Sequence, residues 1–290
     1  MYLTIRLKKV LAICLACLCV CLAGGVIWRQ AMPAAAETAE GVQVPIIMYH
    51  GMLKDQKQQG KYVIDPDLFE SDLKYLKEQG YNTVVMQDLI DYVKKGKALP
   101  DKPIMLSFDD GYLNNFLYAY PLLRQYESKM VFAPIGRFVD EYSEMDDRNP
   151  IYALVTWSDI KDMMDSGLVE VQNHTYNMHT TDKGRKGSMR KKGESEETYR
   201  QVLMEDVGKL QSRMQEMTGY TPTTFVYPFG AISKEALPIL KEMGFQATLS
   251  CESRINTLTD DPNCLYGLGR FRRPNSMDSK TFFTKTVKLP

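Results

Sequence analysis

Residues 103–112 read Pro-Ile-Met-Leu-Ser-Phe-Asp-Asp-Gly-Tyr and join a short apolar run to an acidic pair. The run from Pro103 to Phe108 has the length and apolar character of a buried strand. The acidic pair, Asp109 and Asp110, then stands at the carboxyl end of that strand, and the following glycine allows a sharp turn. A strand that ends in two carboxylates predicts a functional site at the carboxyl edge of a sheet.

The same alternation of strand and helix repeats along the chain. The predicted strands are 44–50, 83–86, 103–108, 130–135, 169–172, 224–227 and 246–249. The predicted helices are 67–79, 87–95, 113–125, 158–165, 196–217 and 234–243. This order indicates an α/β protein with a mainly parallel sheet covered by helices. Over about 250 residues it favours a (β/α) barrel or a distorted version of one.

The chain has three histidines, and two of them, His174 and His179, stand five residues apart. Like the acidic pair, both come soon after a predicted strand, and a barrel collects such positions on one rim. Two imidazoles and one carboxylate make an open metal site, beside which a second carboxylate can act as a base. Each motif alone is also compatible with a plain turn or with structural histidines. Together they predict a metal-dependent hydrolase.

The N-terminal residues predict export. A basic start precedes a charge-free apolar run from Val10 to Trp28, and Ala34-x-Ala36 follows, as in signal-peptidase sites. The run is also long enough for a membrane span. We therefore interpret residues 1–36 as a signal peptide or an uncleaved membrane anchor, 37–42 as a linker and 43–290 as the catalytic domain. Both interpretations place that domain outside the cytoplasm, secreted or held at the membrane.

Charge balance, cysteines and one basic segment bear on the partners that the protein could bind. The 36 basic side chains balance 36 acidic ones, so nothing recommends a nucleic-acid partner. Cys251 and Cys264 lie outside the apolar segment and form either one disulfide or two free thiols. Residues 181–197 are rich in Lys, Arg and Gly, which is typical of an exposed loop. That loop is either a mobile, solvated segment or a basic rim that holds anionic polymer.

Three motifs resemble the polysaccharide deacetylases, the NodB-homology group of carbohydrate esterase family 4. They are Ser-Phe-Asp-Asp-Gly-Tyr at residues 107–112, His-Thr-x-x-x-His at 174–179 and Phe-Val-Tyr-Pro-Phe-Gly at 225–230. The opening segment 45–51 is similar to the branch that acts on poly-N-acetylglucosamine. The resemblance implies a distorted (β/α)7 barrel that hydrolyses the N-acetyl amide of N-acetylhexosamine residues.

The resemblance also implies a metal site and a base. Asp110, His174 and His179 match the ligands of a divalent ion, usually zinc, with cobalt or nickel as alternatives. Asp109 matches the general base that takes a proton from metal-activated water.

Further positions match the substrate site of the family. Tyr112 corresponds to the residue whose backbone N–H helps to hold the oxyanion. Tyr227, Pro228 and Phe229 belong to the motif that lines the substrate groove.

Two positions depart from the family pattern. Val226 stands where many members carry an arginine that orients the base. No histidine follows His179, so the late histidine that serves as general acid is missing, and residues 266–273 occupy its region. Amide hydrolysis needs a proton for the leaving amine. His50, at the end of the first predicted strand, is our candidate for that acid; the alternative is a structural histidine.

We therefore expect an exported metal-dependent hydrolase that removes N-acetyl groups from N-acetylglucosamine-containing exopolysaccharide or cell wall. One alternative is a peptidoglycan-specific deacetylase or amidase. The other is a degenerate domain that binds glycan without cleaving it. An uncleaved N-terminal segment would add the membrane as a partner.

Overall fold

The computed structural model describes residues 41–145 and 147–289. The predicted signal peptide or membrane anchor (residues 1–36) and most of the predicted linker lie outside these residues. Gly41–Pro290 forms a compact unit. Among its described helices, none combines the length and apolar character that crossing a membrane requires.

Short strands alternate with helices along this unit. The strands are β1 (Val42–Val44), β2 (Ile46–Tyr49), β3 (Gly51–Met52), β4 (Val63–Ile64), β5 (Asn82–Thr83), β6 (Pro103–Asp110), β7 (Met130–Pro134), β8 (Val169–Val171), β9 (Thr224–Val226), β10 (Ala247–Leu249), β11 (Asn256–Leu258) and β12 (Phe271–Arg272). The α-helices are α1 (Pro66–Glu78), α2 (Met86–Lys95), α3 (Tyr120–Tyr126), α4 (Gly136–Glu144), α5 (Trp157–Asp165), α6 (Glu196–Thr218), α7 (Ala236–Glu242) and α8 (Ser279–Thr281).

Seven of these strands form a ring. β12, β2, β6, β7 and β8 pair in parallel in that order, and β9 pairs in parallel with β10. Single parallel bridges, Asn173 to Phe225 and Leu249 to Leu268, make the two remaining junctions. Leu268 leads directly into β12, so the bridges close the ring. The predicted distorted (β/α)7 barrel is confirmed, and its distortion lies in these two minimal junctions.

Alternating side chains build the two sides of the barrel wall, as the two-residue period of a strand requires. On β6, Met105 belongs to one buried cluster, whereas Ile104, Leu106 and Phe108 belong to another. The first cluster also contains residues of β9, β10 and α2, and the second contains residues of α1, α3 and α5. Burying such a side chain stabilises the fold by about 1.5–3 kcal/mol. These two layers hold the strand ends in fixed positions.

Some predicted boundaries were wrong. The strand predicted for 83–86 ends at Thr83, because the carboxylate of Asp88 accepts the N–H of Val85 (3.1 Å) and starts α2 at Met86. The helix predicted for 113–125 begins as a π-helical turn, Asn115–Ala119, before α3. Helix α4 was not predicted at all.

Candidate active site

The three predicted metal ligands converge. The Nε2 atoms of His174 and His179 lie 3.6 and 3.4 Å from Oδ1 of Asp110. Ligands that each stand about 2 Å from one ion have such separations. Oδ1 of Asp110 is buried and has no hydrogen-bond partner within residues 41–145 and 147–289. An unpaired buried carboxylate oxygen is costly, and a cation among these three atoms would satisfy it. The residues therefore fit a divalent ion.

The two histidines differ in the interactions that would leave a ring nitrogen free to bind a metal ion. Nδ1 of His174 lies 2.8 Å from the carbonyl oxygen of Val226, so Nδ1 donates and Nε2 is left with its lone pair. Burial alone would lower the pKa of His174, but the carboxylates of Asp110 and Asp109 raise it overall. Burial and the nearby His174 lower the pKa of His179 to about 4, which favours the neutral ring that a metal ligand needs.

Hydrogen bonds from two helices, α6 and α4, hold the loop between the two histidines. The carboxylate of Asp206, on α6, accepts the N–H groups of Tyr176 (2.8 Å) and Asn177 (2.9 Å). The N–H of Arg137, in the first turn of α4, donates to the carbonyl of Tyr176 (2.8 Å). This clamp fixes the path of the chain toward His179.

Each motif turn holds one non-glycine residue in the left-handed region. They are Asp110 (φ 72°), Thr175 (φ 72°) and Phe229 (φ 58°). Such conformations cost about 1–3 kcal/mol each and persist only where the surroundings fix them. Gly111 (φ 90°) follows Asp110, and a Cβ there would lie 2.8 Å from Cβ of Pro134. The acidic turn therefore requires glycine at this position.

Asp109 is buried and accepts two hydrogen bonds from one arginine. Nη1 and Nη2 of Arg270 lie 2.7 and 2.8 Å from its two carboxylate oxygens. Arg270 also donates to Oγ of Ser107 (2.7 Å) and to the carbonyl of Ser250 (2.8 Å). Burial alone would raise the pKa of Asp109, but the charge of Arg270 and the neighbouring histidines hold it well below its usual range. The carboxylate is therefore ionised and held in a fixed orientation.

Sequence reasoning missed Arg270. It noted that Val226 replaces the arginine that orients the base, but it did not supply a substitute. The substitute comes from residues 266–273, the region that lacks the family's late histidine. The sequence places arginines at 270, 272 and 273 but does not tell which of them is buried and therefore requires an acceptor.

His50 lies in the same pocket. A cavity of about 750 Å³ is lined by His50, Asp109, Asp110 and Tyr112 among others. Nδ1 of His50 is buried and has no partner in the described part of the chain. Burial lowers the pKa of His50, and the carboxylates of Asp109 and Asp110 partly oppose that effect. His50 thus lies in the same cavity as Asp109 and Asp110.

Tyr112 contributes its backbone. Leu113 N–H donates to the carbonyl of Ala153 and Val155 N–H to that of Gly111, both at 2.9 Å. These bonds point the Tyr112 N–H the other way, and no acceptor for it occurs among the described residues. A free N–H beside Asp110 is suited to an oxyanion.

The third motif reaches the pocket only in part. Phe229 lines it and is 42% exposed, and its ring centre lies 4.2 Å from that of His179, with the rings tilted by 45°. Tyr227 is buried against Phe225 and Pro228 is buried below the turn, so neither side chain lines the pocket. The predicted substrate contacts of Tyr227 and Pro228 are corrected accordingly. The two-residue period along β9 turns Phe225 and Tyr227 toward α6 and α7, away from the barrel interior.

The basic loop is held by its own ion pairs. Arg185 is buried and pairs with Glu194, while Arg190 bonds to Glu235 (2.9 Å). Lys186 lines the pocket beside these pairs. The basic loop is therefore held by ion pairs and contributes Lys186 to the wall of the pocket.

The two cysteines, for which the sequence allowed either a disulfide or free thiols, are free. Cys251 lines the same pocket, and Cys264 does not.

The fold is a seven-stranded parallel barrel, and two histidines and a carboxylate at its strand ends form a site that could hold a metal ion. The chain belongs to the polysaccharide deacetylase family: the family model for polysaccharide deacetylase matches residues 96–248, more than half of the chain.

Similar proteins agree with this assignment. The poly-β-1,6-N-acetyl-D-glucosamine N-deacetylase of Escherichia coli K12 is 25% identical over 228 residues, 71% of this chain and 34% of that protein. The chain thus spans about a third of that relative. The protein of the same name from Staphylococcus aureus MRSA252 is 26% identical over 203 residues, covering 69% and 65% of the two chains.

Solved structures show the same fold. A de-N-acetylase from Aggregatibacter actinomycetemcomitans superposes with a TM-score of 0.72 and 27% identity, over 84% of this chain and 99% of that one. IcaB from Ammonifex degensii superposes with a TM-score of 0.67 and 25% identity, over 82% and 94%.

Proposed function

We propose that this protein is a metal-dependent deacetylase that removes N-acetyl groups from an N-acetylglucosamine-containing polysaccharide. The observation that carries the proposal is the convergence of Asp110, His174 and His179 beside a carboxylate fixed by Arg270. A pure binding module has no need of an oriented base next to a metal site. The names of the similar proteins support the substrate class.

Each residue of the site has a separate role in the proposed reaction. Asp110, His174 and His179 would hold the ion, whose chemistry is polarisation of the amide carbonyl and a lowered pKa of water. Asp109 takes the proton of the attacking water, since its ionised carboxylate faces the pocket and is fixed by Arg270. The N–H of Tyr112 supports the negative charge that develops on the carbonyl oxygen.

The leaving amine requires a proton, and we assign its donation to His50. His50 lines the pocket together with Asp109 and Asp110. No other histidine is available beyond the metal ligands. Burial lowers the pKa of His50, which makes its protonated form a stronger acid than a free imidazolium and favours proton transfer to an amine.

The proposed setting is extracytoplasmic. The export signal or anchor read from residues 1–36 supports it, as does the location of polysaccharide outside the cytoplasm. Expression of the full chain with fractionation of medium, membrane and cytoplasm tests this part. A catalytic domain found only in the cytoplasm would contradict it.

The test of the activity is acetate release from a β-1,6-linked N-acetylglucosamine pentamer by the full chain loaded with zinc. Asp109→Asn should abolish release, because the amide cannot accept the proton. Asp72→Asn is the matched control: Asp72 is also buried and pairs doubly with an arginine, Arg273, but lies outside the pocket. Folding of both variants is checked by circular dichroism.

The outcomes separate the candidate functions. Release by the wild type and by Asp72→Asn, but not by Asp109→Asn, supports the deacetylase. Release from muropeptides but not from the pentamer points to a peptidoglycan deacetylase. Tight pentamer binding with no acetate from any substrate points to a glycan-binding domain.

A further inference from the structure

Two basic side chains line the main pocket without a charge partner. Arg272 lies on β12 and Lys186 belongs to the basic loop, and both contribute to the wall of the cavity of about 750 Å³. In the part of the chain that the structure describes, the ion pairs near them use other arginines, and neither of the two residues has one. We call Arg272 and Lys186 the cationic pair.

The backbone of the last barrel strand fixes the position of Arg272. Arg272 pairs in parallel register with Met48 of β2, and its guanidinium lies over the ring of Tyr62, 5.3 Å from the ring centre. Nε is buried and has no hydrogen-bond partner within residues 41–145 and 147–289. The guanidinium has therefore lost water on one side without gaining an acceptor. An arginine in that state gains free energy from an anionic group that reaches its outer nitrogens.

The backbone of the basic loop fixes the position of Lys186. The N–H of Gly187 donates to the carbonyl of Thr180 (2.8 Å), and the carbonyl of Lys186 accepts the N–H of Met189 (3.1 Å). A Cβ on Gly187 would lie 2.8 Å from the carbonyl oxygen of Pro228, so the loop packs closely on the third motif. The exposed side chain of Lys186 therefore starts from a fixed point of the pocket wall.

The acidic side chains of the pocket do not balance the cationic pair. Within the described ranges, the carboxylates that line the pocket are those of Asp109 and Asp110. Asp109 already pairs with Arg270, and Asp110 belongs to the group that could hold a metal ion. The rest of the wall therefore carries an excess of positive charge. A concave wall with unpaired positive charge attracts anions.

We propose that the cationic pair binds an anionic oxygen group of the polysaccharide, a carboxylate or a phosphate, beside the sugar whose N-acetyl group lies at the metal centre. The guanidinium fork matches the oxygens of both groups, and the lysine adds a point charge. The inference rests on the proposed function and narrows its substrate to an acidic polymer. A neutral oligomer remains a substrate, with a higher KM.

The experiment compares two oligomers that differ in one charge. One is the β-1,6-linked N-acetylglucosamine pentamer with an O-carboxymethyl group, and the other carries an O-carbamoylmethyl group of the same shape without the charge. For the zinc-loaded full chain, the KM for the carboxymethyl form should be about tenfold lower, with a similar kcat. This advantage should shrink as the ionic strength rises.

Substitutions remove the two charges one at a time. In Arg272→Gln the advantage of the carboxymethyl form should disappear, and in Lys186→Gln it should fall by a smaller factor, because an exposed charge contributes less. Arg272→Lys keeps the charge and should retain part of the advantage. Lys192→Gln is the matched control: Lys192 is an exposed cation of the same loop that does not line the pocket, so the advantage should stay unchanged.

Three outcomes would overturn the proposal. One is an undiminished advantage of the carboxymethyl form in Arg272→Gln, since the carboxylate would then bind the metal ion or the general field of the pocket. Another is an equal KM for both oligomers in the wild type. Folding is checked by circular dichroism, and if Arg272→Gln does not fold, an undiminished advantage in Lys186→Gln decides against the cationic pair.

A pentamer O-phosphate distinguishes the two anionic groups. A KM below that of the carboxymethyl form identifies phosphate as the preferred group, and a higher KM identifies carboxylate.

Calorimetric titration with the same oligomers separates this inference from the proposed function. Stronger binding of the carboxymethyl form by the zinc-loaded wild type, lost in Arg272→Gln, with no acetate released from either oligomer, supports the cationic pair and contradicts the deacetylase. Acetate release from both oligomers with an equal KM supports the deacetylase and overturns the cationic pair.

Discussion

The guanidinium of Arg270, the residue just before the last barrel strand β12, donates hydrogen bonds to both carboxylate oxygens of Asp109, at 2.7 and 2.8 Å. The two residues are 161 positions apart in sequence. Both are almost fully buried, so the pair is screened little by solvent. It orients the proposed base and keeps it ionised in a pocket that would otherwise favour the protonated acid.

Arg270→Lys tests this relationship. Lysine is a point charge that cannot hold both oxygens in one plane. We expect kcat for the pentamer to fall by about 10²-fold, within the range of general-base catalysis. The pKa of Asp109 should rise, so the acid limb of the kcat/KM profile should move to higher pH.

Arg273→Lys provides the comparison for that variant. Arg273 makes an equivalent pair of hydrogen bonds to Asp72, at 2.8 and 2.9 Å, and neither residue lines the pocket. It should lower stability while leaving the pH profile in place. A similar fall in kcat for both variants, without a shift in pH, would show that Arg270 acts only through folding.

His50→Ala tests the proton donor. Without a general acid for the amine, kcat should fall by about 10²- to 10⁴-fold. Bound zinc should remain at the wild-type level, because His50 does not belong to the group of Asp110, His174 and His179. Turnover of the pentamer and metal content are measured on the same preparation. Near-normal turnover would return His50 to a structural role.

Asp206→Ala tests the clamp on the histidine loop. Removing the carboxylate leaves the N–H groups of Tyr176 and Asn177 without their acceptor, so the path to His179 loosens. We expect the zinc dissociation constant to rise by about 10- to 100-fold, as for other residues that support metal ligands. Competition with a chelating dye measures it.

Glu205→Ala is the neighbouring control on the same helix. Its side chain is exposed, and it should leave the zinc affinity unchanged. Unaltered affinity in Asp206→Ala would mean that the helices hold the loop without this carboxylate.

Local sequence pattern predicted the fold class and the position of the two main motifs. Strand–helix alternation predicted the barrel, and the acidic and histidine motifs sit at strand ends as expected. Arg270 could not be predicted in the same way, because its contact with Asp109 depends on how a two-residue strand, β12, closes the ring. Tyr227 was misplaced because a motif does not tell which side of its strand faces the cavity. Helix α4, which lines a cavity beside the metal centre, was not revealed by the helical pattern.

Glu170 should make the stability of the fold depend on pH. It lies on β8 and accepts the N–H of Gln87 (3.0 Å) and the side-chain amide of Gln172 (2.6 Å). Burial raises its pKa from 4.5 to about 7, although these hydrogen bonds oppose the rise. The unfolded chain then loses this proton near pH 4.5, whereas the folded chain keeps it until about pH 7.

The contribution of Glu170 is therefore present in full below pH 4.5 and is lost as the pH rises to about 7. A difference of this size corresponds to about 3 kcal/mol of unfolding free energy. Glu170→Gln cannot titrate, so its stability should fall less than that of the wild type across this interval. Urea denaturation at pH 4.5, 5.5, 6.5 and 7.5 measures the difference, with the exposed Glu78→Gln as control. Parallel pH profiles for wild type and Glu170→Gln would show that Glu170 is ionised in the folded state, stabilised there by Gln87 and Gln172.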